Sequence, residues 1–172
     1  MRVANDHTSE FAIKKMVDEI EEGKSAAMVT DGGAPGISDP GALVADECHE
    51  RRLTVDAIPG PSASITALML SGFFAQRFAF LGFLGRKPGD IKKVLQPFAD
   101  SSMTLVLFES PHRFRDLLAV AHEVLGPRRY AICREISKVH QQVFRENLPT
   151  IPEDHQVLPK GEFTIVIEGR RK

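Results

Sequence analysis

Three residues within five positions carry the most reactive chemistry of this 172-residue chain: Glu109, His112 and Arg113, in the run Phe108-Glu109-Ser110-Pro111-His112-Arg113. A carboxylate or an imidazole can accept a proton, and a guanidinium can grip a phosphate. A capping acid beside a solvated basic first turn is the plainer alternative for the same residues. A second group, from Val29 to Gly41 (Val-Thr-Asp-Gly-Gly-Ala-Pro-Gly-Ile-Ser-Asp-Pro-Gly), is poor in reactive side chains and rich in glycine and proline. Asp31 precedes the paired Gly32 and Gly33, which let the backbone lie against a bound molecule. Asp39 before Pro40 is accounted for by an Asx-type turn. A third group, from Ile58 to Ala67, places Ser62 as the N-cap of a helix whose unpaired N–H groups can also meet a ligand. A fourth, Arg134-Glu135-Ile136-Ser137-Lys138, alternates charge and reads either as an exposed strand end or as a contact segment.

Several familiar sites are excluded. Gly32-Gly33-Ala34-Pro35-Gly36 is not the Gly-x-Gly-x-x-Gly of a dinucleotide site, and no Gly-Lys-Ser/Thr follows to make a P-loop. Gly60-Pro61-Ser62-Ala63-Ser64 lacks the closing glycine of a nucleophile elbow. The six histidines form no His-x-x-x-His pair, so no metal site is expected. What remains is a small-molecule site held mainly by backbone.

Such loops need strands behind them. Thr8 caps a first helix whose stripe is Ile13, Met16, Val17 and Ile20, with Gly23 at its C-terminal end. Ala26–Val29 and Leu53–Ile58 read as buried parallel strands, each followed by a glycine–proline loop and a helix (about Gly41–Arg51 and Ser62–Leu70). Loops at the carboxyl ends of parallel strands are where an open α/β sheet binds ligands. Beyond Ser71-Gly72 the pattern gives strands at Phe78–Phe83, Met103–Phe108, Tyr130–Glu135, Gln141–Glu146 and Phe163–Ile167, with helices at Ile91–Ala99 and Phe114–Val124. The last two strands follow loops, which predicts a mixed sheet. The expectation is therefore an α/β protein of two lobes, 1–72 and 73–172. The first is short of strands, since two parallel strands make a poor core by themselves.

Bulk properties are those of an ordinary globular protein, 42% hydrophobic and 26% charged. Charge is uneven: residues 1–60 carry six Lys/Arg against twelve Asp/Glu, and residues 61–172 carry sixteen against eleven. The second half can meet a polyanion such as RNA. Arg86-Lys87, Lys92-Lys93 and Arg128-Arg129 are expected to be solvated surface, able together to hold RNA backbone. Cys48 and Cys133 read as reduced, buried thiols of a cytoplasmic protein. The apolar runs near Ala63–Leu70 and Phe78–Leu84 are too short for a membrane span, which needs about 20 residues, and no signal-type segment is present.

Taken together, Val29–Gly41, Pro-Gly-Pro-Ser-Ala, Phe-Glu-Ser-Pro-His-Arg, Arg-Glu-Ile-Ser-Lys and Lys160-Gly161-Glu162-Phe163 resemble, in order and spacing, the ribosomal small-subunit RNA (cytidine-2′-O)-methyltransferases of the tetrapyrrole methylase superfamily. The resemblance runs nearly end to end and takes in Asp6-His7. It implies a two-lobed tetrapyrrole-methylase-like fold, usually a homodimer, with S-adenosylmethionine in a cleft. By motif, Asp31, Gly32, Gly33, Ala34 and Ile37 would line the cofactor. Ser62, Ala63, Glu109 and Ile136 would also touch it, Arg113 and Lys138 would meet rRNA of the small subunit, and Glu109 or His112 would accept the ribose proton. Two departures stand out. Relatives open with a further strand and Gly/Pro loop that has no counterpart here, so an N-terminally shortened form is expected. The first loop also reads Asp-Gly-Gly-Ala-Pro where Asp-Ala-Gly-Thr-Pro is common. Methylation of a tetrapyrrole intermediate and a non-catalytic dimeric binding module are the alternatives.

Overall fold

The computed structural model describes residues 8–30, 33–38 and 41–171. The chain divides into two compact units, 1–62 and 63–172. That division lies ten residues before the boundary read at residue 72.

The first unit is built on two helices, α1 (Glu10–Glu21) and α2 (Gly41–Glu50). Ser9, one residue later than the expected Thr8, caps α1 by accepting from the Ala12 amide, and Gly23 follows the helix at φ +99°. Ile13, Val17 and Cys48 are its buried apolar residues. Arg51, just past α2, ties the pair together: it reaches Asp18 at 2.6 Å and Glu21 at 3.1 Å on α1, and Glu47 at 2.8 Å on its own helix. The two parallel strands expected here are not formed. No ladder runs through Ala26–Val29 or Leu53–Ile58, and Val29 and Ile58 are 83% and 97% exposed. A buried parallel strand needs a neighbour in the sheet and a layer on each face. Among the described residues of this unit these two runs have no sheet to join.

The second unit holds the sheet. Its strands are β1 (Phe78–Phe83), β2 (Thr104–Glu109), β3 (Arg129–Arg134), β4 (Gln142–Asn147) and β5 (Phe163–Ile167), in the order β1-β2-β5-β3-β4. Only β1 and β2 pair in parallel, so the sheet is mixed, as the sequence pattern predicts. The carboxyl ends of β1, β2 and β3 and the amino ends of β4 and β5 lie along one edge. On one face, α4 (Pro88–Leu95) and α5 (Phe114–Leu125) cover Leu105, Leu107, Tyr130, Ile132, Ile165 and Ile167. On the other, α3 (Ala63–Ser71) covers Val106, Ala131, Cys133 and Val166 through Ala67 and Leu68. This packing joins α3 to the second unit. The alternation of inward residues along β2 and β3 follows the strand period of two, and it decides which face each site residue sees.

Candidate functional site

The carboxyl edge of β1–β3 gathers Ala63, Glu109, His112, Arg113, Ile136 and Lys138. Glu109 ends β2 in step with Leu105 and Leu107, so its side chain turns to the α4/α5 face. It is only 3% exposed. Its Oε1 accepts from the Ser110 amide at 2.7 Å. Its Oε2 lies 3.3 Å from Arg113 Nη2, an ion pair without hydrogen-bond geometry. The same Arg113 nitrogen donates to the carbonyl of Gly85 at 2.9 Å, binding the exit of β1 to the β2–α5 turn. Arg113 also borders a cavity of about 380 Å³ with Arg86, Ile91 and Asp116. His112, between these two, is exposed.

The loop after β3 is held from below. Arg134 is 7% exposed, and its guanidinium donates to the carbonyls of Lys160 at 2.6 Å and His140 at 3.0 Å. Glu135 and Ser137 adopt φ of +50° and +61°, in the left-handed region, which leaves Ile136 packed against the α3 layer and half-buried. Glu135 Oε1 accepts from the Glu162 amide at 2.9 Å and from Lys138 Nζ at 3.0 Å, and Lys138 also reaches Glu162 at 3.1 Å. That carboxyl is held below its ordinary value, first by the Glu162 amide and then by Lys138. Gly161 explains why Lys-Gly-Glu-Phe contains a glycine: its φ is +98°, and a Cβ there would lie 2.6 Å from the Glu135 carboxyl carbon. Arg134 and Gly161 are positioning residues that the sequence motifs contain without revealing their role. A buried arginine at a strand end signals itself only once the strand register is known.

Ala63 opens α3 on the opposite face at the same sheet edge, one turn before Ala67, whose carbonyl lies 3.8 Å from Cys133 Sγ. Ser62 is the last residue of the first unit. Within that unit, Gly33 and Gly36 take φ of +88° and +81°, and a turn closes from the Ile37 amide to the Ala34 carbonyl at 3.2 Å. Ile37 is 53% exposed at the tip. The loop is a backbone-rich surface whose one large apolar side chain among the described residues is Ile37. Asp31 and Gly32 lie outside the described residues, as do Asp39 and the Asp6-His7 pair. Among the described residues no group of three His, Cys, Asp or Glu could hold a metal ion, and no helix is long and apolar enough to cross a membrane.

Comparison with known proteins gives this arrangement a family. The family model described as Tetrapyrrole (Corrin/Porphyrin) Methylases matches residues 2–152. The protein named Ribosomal RNA small subunit methyltransferase I in Thermotoga maritima is 37% identical over 167 residues, which cover 96% of this chain and 75% of that protein. Its namesake in Halalkalibacterium halodurans is 35% identical over 166 residues, covering 96% and 57%. The namesake in Synechocystis is 38% identical, covering 96% and 60%. The chain thus spans about 57–60% of the length of two of these relatives. Among solved structures it is similar to the methyltransferase CobJ, with a TM-score of 0.65 at 18% identity over 99% of this chain and 74% of that one. A Thermus thermophilus uroporphyrin-III C-methyltransferase, solved with S-adenyl homocysteine, gives 0.58 at 16% identity, covering 93% and 73%. These distant structures speak to the fold alone. On the family match and on close relatives along nearly its whole length, the chain belongs to the tetrapyrrole methylase family, beside members named ribosomal RNA small subunit methyltransferase I.

Proposed function

We propose that this protein is a cytoplasmic S-adenosylmethionine-dependent methyltransferase that modifies the 2′-hydroxyl of a cytidine in small-subunit rRNA, working as a homodimer. The observation that carries the reading is the division of labour at the carboxyl edge of the sheet. The α3 face there offers small and apolar groups, Ala63 and Ile136, while the α4/α5 side offers the charged Glu109–Arg113 turn. Relatives sharing 34–38% identity and named for small-subunit rRNA methylation support the substrate class.

The residues fit such a cofactor. An adenosyl and methionine group asks for apolar contact and main-chain hydrogen bonds; within the second unit Ala63 at the start of α3 and Ile136 can supply these, and the Gly33–Ile37 loop of the first unit has, by itself, a chemistry of the same kind. Asp31 and Gly32 belong to the same loop in sequence. S-adenosylmethionine supplies an activated methyl on sulfur, so the leaving group needs no acid and the protein's contribution is chiefly alignment. The ribose hydroxyl must lose its proton. His112 is the exposed acceptor, and Glu109, buried beside Arg113, holds the turn that presents it and lines the cofactor wall through its main chain. Arg113, beside Arg86 at the small cavity, and Lys138 at the edge would meet RNA phosphates.

The test is methyl transfer from labelled S-adenosylmethionine to small ribosomal subunits taken from a methylation-deficient cell, with uroporphyrinogen as the competing substrate. Label in the subunit RNA is expected. Transfer to uroporphyrinogen and none to subunits would overturn the substrate. Calorimetry with the cofactor alone is the companion measurement, and no heat at millimolar concentration would remove the catalytic reading.

A further inference from the structure

We propose a second RNA contact at the far end of the sheet from Glu109: a phosphate-binding cleft floored by Arg128, with a rim of arginines stacked on phenylalanines. This rests on the RNA reading above.

A cavity of about 840 Å³ opens at the amino end of β3, among the exit of α5, Ala99-Asp100 and residues 168–171. Arg128, expected at the surface from its sequence, is instead 8% exposed. Its Nε donates to the Leu125 carbonyl at 3.0 Å and its Nη2 to the Ala99 carbonyl at 2.6 Å. Among the described residues no carboxylate pairs with it. A buried guanidinium served only by carbonyls retains most of its desolvation cost, and a bound anion offsets that cost. Burial first, then the charge of Arg170, disfavours its protonated form; the nearby Asp100 and Glu168 carboxylates offset this only in part, and a phosphate would relieve the rest.

The walls continue the pattern. Arg129, Arg170 and Arg171 line the cleft. Glu168 takes Arg129 and Arg171, Asp100 takes Arg170, and Glu123 is occupied by Lys92. Arg129 lies 5.2 Å from the centre of the Phe73 ring, and Arg145 lies 4.8 Å from the same ring. Arg171 lies 5.1 Å from that of Phe74, which is 40% exposed. Arg145 and Arg77 are exposed, and neither has a carboxylate partner among the described residues. The Arg77 carbonyl receives the Thr104 amide, placing that residue along the same sheet end. Four arginines thus line the cleft beside Asp100, Glu168 and Glu123, the last taken by Lys92, and outside the lining Arg145 extends the row through the Phe73 ring it shares with Arg129, with Arg77 exposed at the start of β1. Guanidinium forks match phosphate, and arginine faces with the partly exposed Phe74 ring can stack on unpaired bases, while buried Phe73 holds Arg129 and Arg145 in place, so single-stranded rRNA is the occupant this chemistry selects. Six-residue strands put about 20 Å between the two ends of the sheet, so this cleft anchors RNA away from the methylated nucleotide.

The experiment is binding of the protein to protein-free small-subunit rRNA across a salt series. The variants are the exposed pair Arg77→Glu with Arg145→Glu and, separately, the floor change Arg128→Met, with cofactor binding measured in parallel. The expected result is at least a tenfold loss of RNA affinity for the pair. Its log–log salt slope should be shallower by about 1.4, the value for two single-strand phosphate contacts. Cofactor affinity should be unchanged, and Arg145→Lys should restore much of the slope. Wild-type affinity and slope in both variants would overturn the cleft while leaving the methyltransferase reading intact. Failure of the unaltered protein to bind rRNA at all would overturn both. Loss of binding to intact subunits but not to free rRNA would assign the surface to a ribosomal protein and likewise overturn the inference.

Discussion

Glu109 and Arg134 stand on either side of Phe163 in the sheet, each the last residue of its strand and each paired in register with that phenylalanine. Two strand spacings, about 10 Å, and the Phe163 position separate them, and they do not pair with each other. Glu109 instead takes Ser110 and Arg113, while Arg134 takes two carbonyls, so each opposite charge fixes a different loop. The aromatic ring between them belongs to the core of the α4/α5 face. Both loops of the candidate site are thereby anchored to one apolar floor.

That arrangement separates chemistry from positioning at the Glu109 turn. His112→Ala is expected to lower kcat for subunit methylation about 100-fold or more, the scale of a lost general base. Cofactor affinity should hold. Glu109→Ala should act differently, costing about 1–3 kcal/mol in chemical denaturation because the Ser110 amide loses its acceptor and Arg113 its ion-pair partner. Activity within threefold of the parent in His112→Ala would exclude the imidazole as proton acceptor.

At the other end of the sheet, Glu168 couples stability to pH. It is 4% exposed and takes Arg129 through two hydrogen bonds of 2.6 Å, with Arg171 adding another at 2.8 Å. Burial works to raise its carboxyl, and the Arg129 and Arg171 hydrogen bonds outweigh burial, so it lies below the ordinary value of 4.5. The folded state therefore releases this proton more readily than the unfolded state. Its stabilisation is complete above the unfolded value and fades as pH falls through the lowered folded one. Urea titrations from pH 7 to 3 should show that acid loss. Glu168→Gln should cost about 1–3 kcal/mol at pH 7 and flatten the acid limb. An unchanged acid limb in the variant would remove Glu168 as its source.

The sheet and its helices were legible in the sequence because β2, β3 and β5 are apolar runs bounded by breakers, and α5 carries a clear apolar stripe. The site motifs were legible because glycine, proline and charge cluster at the strand ends. The burial of Glu109 and Arg134 was not, since facing direction depends on register, and a shift of one residue would point both side chains to the α3 face. The strands expected at Ala26–Val29 and Leu53–Ile58 failed for a related reason. Hydrophobic runs report a tendency to be buried, but they cannot report whether a neighbouring strand is present. Arg128 departs from the surface position its sequence predicts, because an arginine pair looks like surface until the carbonyls of Ala99 and Leu125 close over the first of them.

Cys133 offers a chemical check of the α3 layer. Its thiol is fully buried between α3 and the sheet, and burial pushes it up to about 11. At pH 8 almost none of it is thiolate, the reactive form. Native protein treated with a thiol reagent should leave Cys133 unlabelled for as long as the unit stays folded, with full labelling in guanidinium. Rapid modification of Cys133 in the native state would show that α3 opens readily from the sheet.

Gly161 tests whether the loop after β3 is held for cofactor binding. At φ +98° an alanine is strained by about 1–2 kcal/mol on conformation alone. Its methyl group would also enter the space of the Glu135 carboxyl, displacing the acceptor shared by the Glu162 amide and Lys138. Those bonds, with the Gln141 side chain that accepts from the Ser137 amide, over-determine the loop in which Glu135 and Ser137 hold left-handed backbone. Releasing them should let Ile136 leave the α3 face. Gly161→Ala is therefore expected to weaken S-adenosylmethionine binding by tenfold or more in calorimetry, with a modest drop in thermal stability. Glu135→Gln, which keeps the shape and the amide acceptor while losing the charge toward Lys138, should weaken it far less. Equal affinities for the parent and Gly161→Ala would detach this loop, and Ile136 with it, from the cofactor site.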